Sequence, residues 1–89
     1  MKYRDFEIIR DKTASEPTYN VVKWLRQGNC LPPECLVIAR LLTDPLGEWR
    51  FISIGTRFLD YYEHGLTEFV RNYVRILTVY KSLGGANNG

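Results

Sequence analysis

Polar and apolar residues alternate over residues 2–9, "KYRDFEII". Phe6 and Ile8 fall on one side, Asp5 and Glu7 on the other. A period of two belongs to a strand with one wet face. A strand is therefore predicted, ending near Asp11, where "DKTASEPT" brings turn residues. "YNVVKWL" (19–25) follows with Tyr, two Val and Trp, which suit a pleated, half-buried surface. Together these runs predict a hairpin across a loop of about seven residues, longer than most.

"RQGNCLPPE" (26–34) interrupts the pattern. Pro32-Pro33 removes two backbone donors and holds Leu31 extended. "CLVIARLL" (35–42) is β-branched-rich and almost continuously apolar, as a strand buried on both faces would be. "TDPLGE" places Pro45 and Gly47 where a turn wants them, and "WRFISIG" (49–55) reads as the fourth strand. These two form a second predicted hairpin.

The period then changes. Leu66, Phe69, Val70, Tyr73, Leu77 and Tyr80 recur at spacings of three and four, an apolar stripe on a helix. Glu68, Arg71, Asn72, Arg75 and Lys81 occupy the other side. Thr67 is placed to cap its start. Gly84-Gly85 is placed to stop it, with Lys81 near the negative end of the helix dipole. "GGANNG" reads as a frayed tail. Upstream, Phe58, Leu59 and Tyr62 predict a short helical turn that begins to cover the sheet. A break at His64-Gly65 follows, with His64 near a helix C-terminus.

The predicted fold is α+β with order β-β-β-β-α: a four-stranded antiparallel sheet of two hairpins packed on one C-terminal helix, with a short helical turn before the long one. One domain is expected over residues 1–83, with a flexible tail at 84–89. A length of 89 residues fits a single core; size scaling has such a chain bury about 64% of its extended surface.

One helix covers one face of a sheet, so the other face should alternate to polar. It does not. One parity of "CLVIARLL" gives Cys35, Val37, Ala39 and Leu41, the other Leu36, Ile38, Arg40 and Leu42. "WRFISIG" divides into Trp49, Phe51 and Ser53 against Arg50, Ile52 and Ile54. Each side is mostly apolar. Either the Pro-Pro loop and the first hairpin cover the second face, or it is an interface, since monomers rarely expose large apolar patches. Arg40 and Arg50 mark the wetter face or edge. On one side together they would suit an acidic partner or phosphates; the plainer alternative is that their stems pack over the sheet while the heads stay in water. Trp24 and Trp49 complete the sheet residues expected at an interaction surface.

Composition changes this picture little. The chain is 45% apolar and 25% charged, near globular averages. Net charge is +2, with no run of five cations, which does not announce a nucleic-acid protein. There is no signal-like apolar run and no stretch to span a bilayer, so a cytoplasmic protein with no membrane role is expected. Cys30 and Cys35 flank "LPPE" and could close a small loop as a disulfide, or stand as two partly buried thiols.

Catalytic constellations are scarce. Cys30, Cys35 and His64 would lack a fourth ligand for zinc. Nothing around either cysteine suggests an activated thiolate, and no phosphate-cradling glycine motif is present. Asp60 and Glu63 beside Tyr61, Tyr62 and His64 read as a solvated edge. No enzyme, cofactor or small-molecule substrate is expected. Nucleic-acid binding is the alternative: Arg71 and Arg75 lie one turn apart, with Lys81 beyond and Arg57 and Lys23 as further cations. Trp24, Tyr19 or Tyr3 would be available to stack bases. Against it, Glu68 sits among the arginines and makes an ordinary pair with Arg71.

Over residues 35–70 the chain resembles small uncharacterised proteins encoded by bacteriophages and related mobile elements. In these an apolar strand and turn lead into "W-x-F-x-S-[VI]-G-x-R-[FL]-L" and then a "G-L-x-E" helix start. Trp49, Phe51, Ser53, Ile54, Gly55, Arg57, Phe58, Leu59, Gly65, Leu66 and Glu68 carry the likeness. The resemblance implies the cytoplasm of a bacterial host and no mechanism. The apolar excess of the sheet points separately to a non-enzymatic interaction module that dimerises through its sheet or binds a host protein, and analogy with small phage accessory proteins favours the blocking of a host protein. A stoichiometric inhibitor of a bacterial defence system is one such role.

Overall fold

A computed structural model of the protein describes residues 1–25, 33–62 and 64–88, with the backbone alone for His64 and residues 80–88. Among the described residues, five strands form one antiparallel sheet in sequence order: β1 (Lys2–Tyr3), β2 (Phe6–Arg10), β3 (Thr18–Leu25), β4 (Glu34–Thr43) and β5 (Trp49–Ser53). Two helices follow, α1 (Arg57–Asp60) and α2 (His64–Asn88). The α+β class, the two long hairpins and the C-terminal helix agree with the sequence pattern.

The fifth strand arises where a single one is expected. "KYRDFEII" folds back on itself at Arg4-Asp5, pairing Tyr3 with Phe6. Arg4 takes a φ of 51°, a conformation a side chain disfavours. Packing offsets the strain. The turn swings the Tyr3 ring between Phe6 and Phe69, with ring centroids 6.4 and 5.6 Å away, and the Asp5 carbonyl accepts the Trp24 N–H at 2.7 Å.

The core lies between the sheet and the first turns of α2: Phe6, Ile8, Val21, Ile38, Ala39 and Leu41 meet Leu66, Phe69 and Val70. A bulge sorts the apolar excess of β4. Val21 pairs with Ala39 but Val22 pairs with Val37, so Ile38 is an extra residue. Leu36 and Ile38 face the helix on one side of it, Ala39 and Leu41 on the other. Cys35, Val37, Arg40 and Leu42 are left on the opposite face. Both parities looked apolar because the strand changes parity halfway.

Several helix expectations need correction. α2 starts at His64, so Thr67 lies inside the first turn and is not its cap, and His64 opens α2 instead of closing a helix. The break falls before His64. Gly65 is helical, and its role is close approach: a Cβ there would meet the Tyr3 hydroxyl and would stand 2.8 Å from Cζ. The backbone of α2 continues through Gly84-Gly85 to Asn88. A glycine stop draws support from an apolar contact just beyond it, and "ANN" offers no large apolar side chain. Of the three residues expected to begin the cover, Phe58 packs on the core, whereas Leu59 and Tyr62 are 71% and 53% exposed. Tyr61, one turn from Phe58, packs instead. Gly55, at φ 54°, does turn the chain after β5.

Among the described side chains of α2, those that pack on the core fall within its first ten or so residues. A 25-residue helix is about 37 Å long, and the molecule measures 47 × 26 × 21 Å. Its radius of gyration, 14.4 Å, exceeds the roughly 12 Å usual for this length, because α2 overhangs the sheet.

Candidate functional site at the β5 margin

Pairing register places Arg40 and Arg50 on one face, the face turned away from α2. Ile9, Asn20, Arg40 and Ile52 form one row across it; Thr18, Leu42 and Arg50 form the next. No described element packs on this open face. Ile52 is 46% exposed and Ile9 37%. Val22 is buried there, flanked by Trp24 and Glu7, and the Trp24 Nε1–H donates to Glu7 Oε1 at 2.9 Å. The Pro-Pro loop considered as a cover lies, but for Pro33, outside the described residues, as do Cys30 and the side chains of His64, Lys81 and Tyr80. The disulfide and metal alternatives rest on these residues and so lie outside the described ones; Cys35 is exposed, where a partly buried thiol is expected.

The two arginines have different surroundings. Arg50 is fixed by the β4–β5 turn: its Nε donates to Asp44 Oδ2 at 2.8 Å, and Glu48 lies 3.6 Å away. Asp44 also accepts the backbone N–H of Leu46 and Glu48. The Glu48 bond above all holds its carboxyl below the usual carboxylate range. Arg40 is exposed beside Asp11. The Asp11 carboxyl is lowered chiefly by bonds from the Thr13 side chain and backbone, with Arg40 a lesser cause.

β5 is an edge strand with two different sides. Arg50 and Ile52 belong to the open face. Trp49 and Phe51 point toward α2 and line a groove of about 580 Å³. Phe58, Val70, Val74 and Val79 complete its apolar walls, and Arg71 and Arg75 stand on α2 at its side. Phe51 and Phe58 meet edge to face at 4.8 Å. Trp49 packs on Tyr19, which meets Tyr73 at 5.5 Å. Burial beside Tyr19 pushes the Tyr73 phenol up. The buried Trp49 Nε1–H has no partner among the described residues.

The edge backbone of β5 is also open. The Ile54 N–H donates to the Ile38 carbonyl at 3.0 Å, and the Glu48 carbonyl accepts from Asp44 at 2.8 Å. Backbone groups alternate in direction along an antiparallel strand. Those of Arg50 and Ile52 therefore face β4, and those of Trp49, Phe51 and Ser53 face outward, with no bond from a described residue.

The expected interaction residues thus divide between two surfaces joined at β5. Arg40, Arg50 and Trp24 belong to the open face; Trp49, Arg71 and Arg75 belong to the groove. Arg71 pairs with Glu68 at 3.7 Å, as their spacing predicts. Arg57 is committed to the fold: its guanidinium donates to the Val37 carbonyl at 3.2 Å, beside the bulge. Ile9 and Ile52 were singled out by no motif, and Phe51, Val74 and Val79 line a groove that periodicity alone does not reveal. Among the described residues no helix is long and apolar enough to cross a membrane. Comparison with protein-family models, with curated proteins and with solved structures finds no match.

Proposed function

We propose that this chain is a non-enzymatic interaction module that binds a protein through its sheet. The observation that carries this reading is the open face, where Ile9, Ile52, Val37 and Leu42 lie around Arg40 with no described element over them. A face of apolar residues with an exposed arginine has the make-up of a protein interface. The resemblance of residues 35–70 to bacteriophage and mobile-element proteins favours a host protein as partner, with stoichiometric inhibition of a defence component as the mode of action. Self-association through the same face is the other form of the reading.

Nucleic-acid binding has less support. Of its four cations, Arg57 is bonded to a β4 carbonyl and Arg71 is paired with Glu68. That reading requires affinity falling steeply with salt for either DNA or RNA.

The test compares the wild-type chain with Ile9→Glu, a change on the open face remote from β5. A host protein captured by the wild type is purified and recombined with both chains. Binding at one-to-one stoichiometry by the wild type, lost in a folded Ile9→Glu chain, supports the reading. Light scattering across a dilution series separates the self-associating form. A strict monomer that reconstitutes with no protein defeats both forms.

A further inference from the structure

We infer that β5 accepts a sixth strand: an extended segment of a partner protein, apolar at alternate positions and acidic at its ends, which lays its inward side chains in the groove beside α2. This rests on the reading of the chain as an interaction module and names the form its partner takes.

Three observations converge on it. First, the outward N–H and C=O groups of Trp49, Phe51 and Ser53 are unpaired among the described residues, the template needed for strand addition. Edge strands are commonly blunted by proline, lysine or a bulge. β5 has none of these, and its one charge, Arg50, is held by Asp44 on the open face. Second, the groove continues the helix side of the sheet past this edge. A new strand lies about 4.8 Å beyond β5, with alternate side chains directed to the α2 side. The part of α2 that lines the groove, Thr67 to Val79, spans about 18 Å, matching the roughly 17 Å of a five-residue strand. Phe51, Val74 and Val79 are the apolar contacts waiting there, with Phe51 43% and Val79 54% exposed. Third, charge selects the occupant. The groove carries Arg71 and Arg75, and no described carboxylate pairs with Arg75. A second copy would bring the same arginines against these, whereas an acidic segment complements them.

The experiment uses two synthetic peptides, acetyl-Glu-Thr-Val-Thr-Val-Thr-Glu-amide and its counterpart with Lys for both Glu, titrated into isotope-labelled full-length protein. Strand addition predicts that the acidic peptide slows amide exchange at Trp49, Phe51 and Ser53. It also predicts that the lysine peptide binds about tenfold or more weakly, a difference near 1.4 kcal/mol. In an Arg71→Glu/Arg75→Glu chain the preference reverses. Absence of protection at these three amides, or equal affinity for both peptides, overturns the inference. So does a free protein that scatters as a dimer with the Phe51 amide already protected, since a second copy then occupies the edge. If strand addition fails while a partner is still lost on Ile9→Glu, the module reading stands without this one.

Discussion

Ile38 and Ala39 are neighbours in the chain, yet both are fully buried in the same cluster on the helix side of the sheet. Two adjacent strand residues share a face only at a bulge. This one reverses the parity of β4, sending Val37 and Arg40 to the open face.

Stability should report that reversal directly. Ile38→Ala is expected to cost about 2–5 kcal/mol, the range for emptying a packed site. Val37→Ala, half-buried on the other face, should cost about 1 kcal/mol or less. Urea denaturation of both variants, with unchanged m-values, checks the difference.

Gly65 and Tyr3 should be coupled. In an ordinary helix Gly→Ala gains about 1 kcal/mol. Here the added methyl meets the Tyr3 ring, which Phe6 and Phe69 hold in place. Gly65→Ala is therefore expected to destabilise by about 1–3 kcal/mol. In a Tyr3→Ala background the same change should become neutral or favourable, a coupling that a double-mutant cycle measures.

Asp44 should make the β4–β5 turn sensitive to acid. Its folded carboxyl is lowered, first by the Glu48 N–H and then with help from Arg50 and Leu46. A lowered carboxyl contributes stability above its unfolded pKa, about 3.9, and loses it as pH falls through the folded value. Asp44→Asn resembles the protonated acid. Thermal melts should show this variant less stable than the wild type at neutral pH, with the gap closing below about pH 4.

The short helix divides into a packed and a free side. Phe58→Ala should destabilise by about 2–3 kcal/mol, less than a fully buried Phe because Phe58 is half-buried. Leu59→Ser, at 71% exposure, should stay within about 0.5 kcal/mol of the wild type. Differential scanning calorimetry of the two variants reads this contrast.

Much of this architecture is legible in the chain. The period-two run at Phe6–Ile8, the apolar run at Leu36–Leu41 and the three/four spacing from Leu66 to Tyr73 follow from which side chains must leave water. What is not legible is where local strain is accepted for distant packing. Arg4 takes an unfavourable φ because Tyr3 then reaches Phe69, a residue 66 positions further along the chain. The bulge hides for the same reason: a strand that switches parity between Ile38 and Ala39 looks apolar on both sides. At the candidate site, Arg40 and Arg50 could be named from the sequence but not assigned to one face, since that depends on register. The groove is harder still, because it exists only where α2 overhangs β5.

The most direct test of binding through the sheet is an amide chemical-shift map of the labelled chain, first against itself in a dilution series and then against the purified partner. Binding through the sheet predicts shifts concentrated on the open face at Ile9, Asn20, Arg40 and Ile52, and lost in Ile9→Glu. Shifts confined to Arg71, Arg75 and their neighbours on α2, appearing only with nucleic acid and fading as salt rises, would contradict it.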